Sequence, residues 1–167
     1  MKFFSKVSLY TAGNPANFFT KRGMKVPSGT FYNHHVKVLS GEIEEEISAN
    51  ISQIMNREVE AFMVVNTGNV FVYEKALNAI YLYFPDTATA ELMELMDEDN
   101  LNWFVNVYLD SDAVHEVIFN SGLFGIELAK NEILSLPIEA TNEEPESYKR
   151  VDMRAYFDLH RQEMIGK

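Results

Sequence analysis

The 167-residue chain is 47 % hydrophobic and 13 % aromatic, contains no Cys and carries a formal charge of −11. That composition excludes a disordered acidic tail, a disulfide scaffold and any thiolate metal centre. The sign of the charge opposes loose attachment to nucleic acid and favours a basic partner.

A chain of this length buries about 68–70 % of the surface its unfolded form exposes, enough for one core without crosslinks. Met1-Lys2-Phe3-Phe4-Ser5-Lys6 has no apolar run of signal length, since Lys6 interrupts it. Nowhere do 18 uncharged apolar residues run together, so no membrane span is expected, and the absence of Cys fits a reducing, cytoplasmic setting.

Residues 2–11 read as a first strand, with Val7, Leu9 and Thr11 alternating against polar neighbours. Gly13-Asn14-Pro15, Gly23, Pro27 and Ser28-Gly29 then mark a loop. Inside it Phe18 and Phe19 adjoin Lys21, Arg22 and Lys25. A second strand is expected over 30–39. Ser40 can cap a helix over 41–57, in which Ile43, Ile47, Ile51 and Ile54 form one apolar stripe. Glu42, Glu44, Glu45 and Glu46 lie near the positive end of its dipole.

Residues 59–66 and 70–74 flank Thr67-Gly68 as a hairpin, and 79–84 read as another strand. After Pro85, Asp86 or Thr87 can cap a helix through Glu98 that buries Leu92, Leu95 and Met96. Residues 101–109 suit a central strand. Ser111 can start a short helix that Gly122 ends, and 123–129 suit a last strand. Residues 137–147 have the composition of a linker. Beyond them Tyr148, Val151, Ala155 and Leu159 form a helical stripe, with Met153, Phe157 and Met164 on another side.

The expected fold is α+β (or α/β): a single domain with a mixed β-sheet, short helices packed on it and a C-terminal amphipathic helix. The expected organisation is a core over 1–136, divided into a basic segment 1–40 and an acidic body 41–136, then a linker 137–147 and a helix over 148–165.

No catalytic motif emerges. His34 and His35 are adjacent on a strand and point to opposite faces, and His115 and His160 stand without a second His at ligand spacing. Asp97-Glu98-Asp99-Asn100 opens like a calcium loop, but the loop glycine is replaced by Asn102 and the bidentate acid by Tyr108. Asp110-Ser111-Asp112 is explained by a helix start. No GxSxG, GxxxxGK[ST] or GxGxxG is present, so no enzyme activity and no cofactor are expected.

Charge distribution carries the functional expectation. Residues 1–40 hold six bases and no acid, whereas 41–167 hold eight bases and 25 acids. Ala76 to Ala129 contains ten acids and no base. Asp86, Asp110 and Asp112 have a local reason as helix starters. Glu91, Glu94, Asp97, Glu98, Asp99 and Glu116 do not, and they form the expected partner surface. An array of carboxylates can occupy a basic groove by imitating phosphate charge. The expected role is therefore an inhibitor or modulator of a basic nucleic-acid-handling protein, of the general type that viruses and mobile elements encode. Two alternatives draw on the same charge separation. Phe18, Phe19, Lys21, Arg22 and Lys25, with Tyr32 and His34, could stack and neutralise a single strand. Opposite segments could instead mate between copies in a homo-oligomer or virion component.

Overall fold

The computed structural model describes residues 16–27, 36–95, 104, 126, 128–137 and 139–165. A short helix, α1 (Phe18–Lys21), opens this part of the chain. The Asn17 side-chain oxygen accepts from the Phe19 and Thr20 amides, and Thr20 Oγ1 accepts from the Asn17 amide. This reciprocal cap makes a helical turn where turn residues alone suggest a loop.

Strand β1 (Val36–Val38) leads through Ser40 into α2 (Gly41–Met55). Ser40 has the extended backbone of a cap but its side chain makes no capping hydrogen bond. The Gly41 amide instead donates to Ala16 O at 3.3 Å, and Ser40 bridges to Asn17, so the entry to α2 is held by the segment before α1. Asn56, in the left-handed region at φ 54°, ends the helix.

Strands β2 (Glu60–Val65), β3 (Val70–Glu74), β4 (Ala79–Phe84) and β5 (Thr89–Leu95) follow as a meander. With β1 they form a five-stranded sheet in the order β1-β2-β3-β4-β5. Every strand pair among the described residues is antiparallel, so the architecture is α+β and the described sheet is not mixed.

The helix expected over 86–98 is replaced by β5. Phe84↔Thr89 through Ala79↔Leu95 pair along the length of β4, with one irregularity at Ile80/Tyr81. The Ala, Glu, Leu and Met content favours a helix locally, but a helix would leave the outer backbone groups of β4 without this ladder. Leu92, expected in the core, is 54 % exposed. The turn that permits the hairpin has Ala88 at φ 52°.

Both faces of the sheet are covered. On one face, Phe62, Phe71, Ile80 and Leu82 pack with Phe18, Phe19 and Phe104. On the other, Val64, Val70, Val72 and Tyr83 pack with Ile47 and Ile51 of α2 and with Ile133, Met153 and Phe157. Strands buried on two sides explain the near-continuous apolar runs of β2 and β4.

A second, two-stranded sheet pairs β6 (Glu132–Ser135) with β7 (Lys149–Asp152). A 3₁₀ turn at Pro145–Ser147 lies within the segment expected as a linker. The helix expected over 148–165 begins only at Met153, giving α3 (Met153–Ile165), because 149–152 pair with β6. It buries Met153, Phe157 and His160, whereas Ala155 and Leu159 of the expected stripe are exposed. It docks on its own domain: Arg154 Nε meets Glu46 Oε2 at 2.8 Å and Asn50 Nδ2 donates to Asp158 at 3.5 Å. The expected strand at 2–11, the helix after Ser111 and, apart from Phe104, the strand at 101–109 lie outside the described residues; the strand expected at 123–129 lies largely outside them.

Gly68 supports the contact between the β2–β3 turn and α3. Its φ is +99°, and an added Cβ would meet the Tyr156 hydroxyl at 3.3 Å. Gly68→Ala is expected to lower stability by about 1–3 kcal/mol through backbone strain, measured by urea denaturation.

Candidate functional site

The two sets of residues expected to bind partners have different fates. Of the acidic set, Glu91 is exposed on β5 and Glu94 pairs in register with Ile80. Asp97, Glu98, Asp99 and Glu116 lie outside the described residues, as do Tyr32, His34, His35 and His115.

The aromatic half of the basic set is not at the surface. Phe18 and Phe19 are 0 % exposed. Phe18 stacks on Phe62 at 4.3 Å and meets Phe19 edge-on at 5.3 Å. Rings enclosed on these sides cannot stack on nucleic-acid bases, which corrects the single-strand reading of Phe18 and Phe19. Asn17 explains the placement, because its cap turns both rings inward onto β2.

The cations beside them face acids of the same chain. Lys21 Nζ lies 3.1 Å from Glu44 Oε1 and 3.5 Å from Glu60 Oε1. Arg22 reaches Glu60 Oε2 at 3.1 Å, donates to Phe18 O at 3.0 Å and lies over the Phe18 ring at 3.7 Å. Lys25 remains exposed. Two of the five residues expected to contact nucleic acid are therefore core, and two more are committed to internal ion pairs.

Glu44 and Glu60 were not singled out by sequence reasoning, yet they organise this region. The α2 helix carries Glu44 on the same side as Ile47 and Ile51, and it is only 2 % exposed. Its second oxygen, Oε2, is buried with no N–H or hydroxyl partner. Burial, and then the hydrogen bond with Glu60, push the Glu44 carboxyl up to about 7, against the pull of Lys21. Burial acts on Glu60 in the same direction, but the hydrogen bond from Glu44 and the charge of Arg22 outweigh it and hold Glu60 below the ordinary range. For Lys21, the two carboxylates outweigh burial and raise its value. Burial and the second carboxyl thus favour the neutral form of Glu44, and the cations favour the charged form of Glu60. An open cleft of about 750 Å³ borders the pair, lined among others by Lys21, Arg22, Tyr73 and Lys75.

The same internal use of cations recurs elsewhere. Arg57 pairs with buried Glu74 at 3.4 Å, and Tyr81 donates to that carboxylate. Arg154 reaches Glu46 and, at 3.9 Å, Glu42. Lys37 donates to Ala129 O at 3.1 Å. A cleft of about 500 Å³ between the starts of α2 and α3 mixes Lys37, Lys130 and Arg154 with Glu42 and Asp152, so neither sign dominates it. Exposed acids without such a pairing include Glu45, Glu58, Glu91, Glu143 and Glu144.

No group of three or more His, Asp or Glu able to hold a metal occurs among the described residues, and no described helix is long and apolar enough to cross a membrane. The chain matches no protein-family model, and no curated protein aligns with it significantly.

Proposed function

We propose that the protein is an acidic binding module that inhibits or modulates a basic nucleic-acid-handling protein. One observation carries this reading: Lys21 and Arg22, the centre of the basic segment, are paired with Glu44 and Glu60 of the same chain. Their withdrawal leaves unpaired acids to characterise the exterior of a chain with net charge −11. Such a surface attracts a cationic groove and displaces its counterions as phosphates do. The internal ion pairs also weigh against head-to-tail assembly, because they satisfy within one chain the charges that would join two.

Affinity capture with the intact protein tests the proposal, using short duplex DNA as competitor. The expected retained proteins are basic nucleic-acid enzymes, released by the duplex and weakened about tenfold or more as salt is raised from low to physiological strength. Retention that neither duplex nor salt disturbs would count against it. So would retardation of labelled single-stranded DNA by the protein itself, abolished by Lys21→Ala with Arg22→Ala.

A further inference from the structure

We propose that Glu44 and Glu60 share a single proton that fastens α1 to α2 and β2, making the seat of the N-terminal segment responsive to pH. The geometry is the argument. Glu44 comes from α2, Glu60 from β2, Lys21 from α1 and Arg22 from its C-cap, so three elements meet at two carboxyl groups. Glu44 Oε1 accepts from Lys21, but Oε2 is enclosed and has no donor. An ionised Glu44 would leave that oxygen without a partner beside a second carboxylate, an arrangement that costs desolvation and like-charge repulsion together. A proton on Glu44 removes both costs, because the carboxyl group then donates to Glu60, whose own oxygens also take Lys21 and Arg22.

The groups facing the pair fix the direction of the response. They are Lys21 of α1 and Arg22 at its C-cap, Glu45 of α2, Tyr73 of β3, and Lys75 of the following turn. Arg22 is already shared between Glu60 and Phe18 O, so Lys21 alone would have to answer a newly ionised Glu44. Lys21 is also half-exposed, which weakens what it can return. Loss of the proton therefore separates the two carboxylates and loosens α1. The shift of Glu44 to about 7 places this change at neutral pH.

Two measurements on the full chain test it. Carbon-detected NMR of the Glu44 carboxyl is expected to titrate with a midpoint near 7, moving toward the ordinary range in Glu60→Gln. Amide exchange, corrected for its intrinsic pH dependence, is expected to show Lys21 and Met24 losing protection as pH rises through that midpoint. Those amides donate to Asn17 O and Phe19 O and so report the turn itself. In Glu44→Gln, whose amide can donate to Glu60 at any pH, the loss should vanish. A wild-type Glu44 midpoint below about 5 would overturn the proposal whether or not the variants fold. Persistence of the exchange change in Glu44→Gln would overturn it as well.

Discussion

Phe18→Ala is expected to lower the unfolding free energy by about 3–5 kcal/mol. The ring is 0 % exposed, stacks on Phe62 at 4.3 Å, meets Phe19 at 5.3 Å and Tyr73 at 5.6 Å, and supports the Arg22 guanidinium. Truncation removes the transfer free energy of the ring and leaves a cavity that β2 and β3, fixed by their ladders, can fill only in part. It also takes away the surface on which Arg22 rests before reaching Glu60. Lys25→Ala, at an exposed position of the same segment, is expected to stay within about 0.5 kcal/mol. Urea denaturation of both variants separates a core role from a binding role. A Phe18→Ala protein of unchanged stability would return this ring to the surface.

The contrast between Phe18 and Lys25 shows what could be read from the chain. The hairpin at Thr67-Gly68 and the strand at 79–84 were legible, because β-branched and aromatic runs have few other uses. The body of α2 was legible from its isoleucine spacing. That same spacing held a signal that was missed: Glu44 stands at i, with Ile47 at i+3 and Ile51 at i+7, so a carboxylate had to enter the buried face. What it would meet there was not legible, since Lys21 and Glu60 arrive from distant parts of the chain. β5 failed for another reason. Its residues prefer a helix locally, and only the exposed ladder of β4 makes them a strand. The start of α3 was misplaced because Lys149–Asp152 carry no pattern of their own and become a strand by pairing with β6. Clustered bases beside aromatics looked like a nucleic-acid surface because composition does not show which side of a turn faces the core.

Stability is expected to respond to pH through two contacts of opposite sign, and Glu44→Gln should reverse the balance between them. The carboxyl of Glu44 sits near 7 in the folded protein against 4.5 as its ordinary value. Between those values the unfolded chain releases a proton that the folded chain keeps. The stability Glu44 contributes is thus fully present below 4.5 and lost as pH rises through about 7, a change on the order of 3 kcal/mol at most. Glu60, held below its ordinary range, contributes in the opposite direction, present above 4.5 and lost as pH falls through its folded value. His160 also opposes Glu44. It is buried, its Nε2 lies 2.5 Å from the Tyr83 hydroxyl, and burial lowers its value below 6.5 despite the charges of Glu163 and Asp86. Burial pushes Tyr83 up to about 12, so its hydroxyl keeps its proton beside the imidazole across this range. The stability His160 contributes is present above 6.5 and lost as pH falls below it. In the wild-type protein the His160 slope opposes the Glu44 slope below 6.5, and only the Glu44 loss continues toward 7. Removing the titration at Glu44 should leave a profile that rises with pH up to 6.5 and then levels. At pH 8 Glu44→Gln should equal or exceed the wild type, because its amide satisfies Glu60 and its carbonyl satisfies Lys21 without a buried charge. Denaturation midpoints and slopes from pH 4.5 to 8.5 measure both effects. Equal profiles for the two proteins would mean that Glu44 is ionised throughout. The seat of α1 would then rest on an ordinary ion pair with Lys21, unchanged through neutrality rather than released.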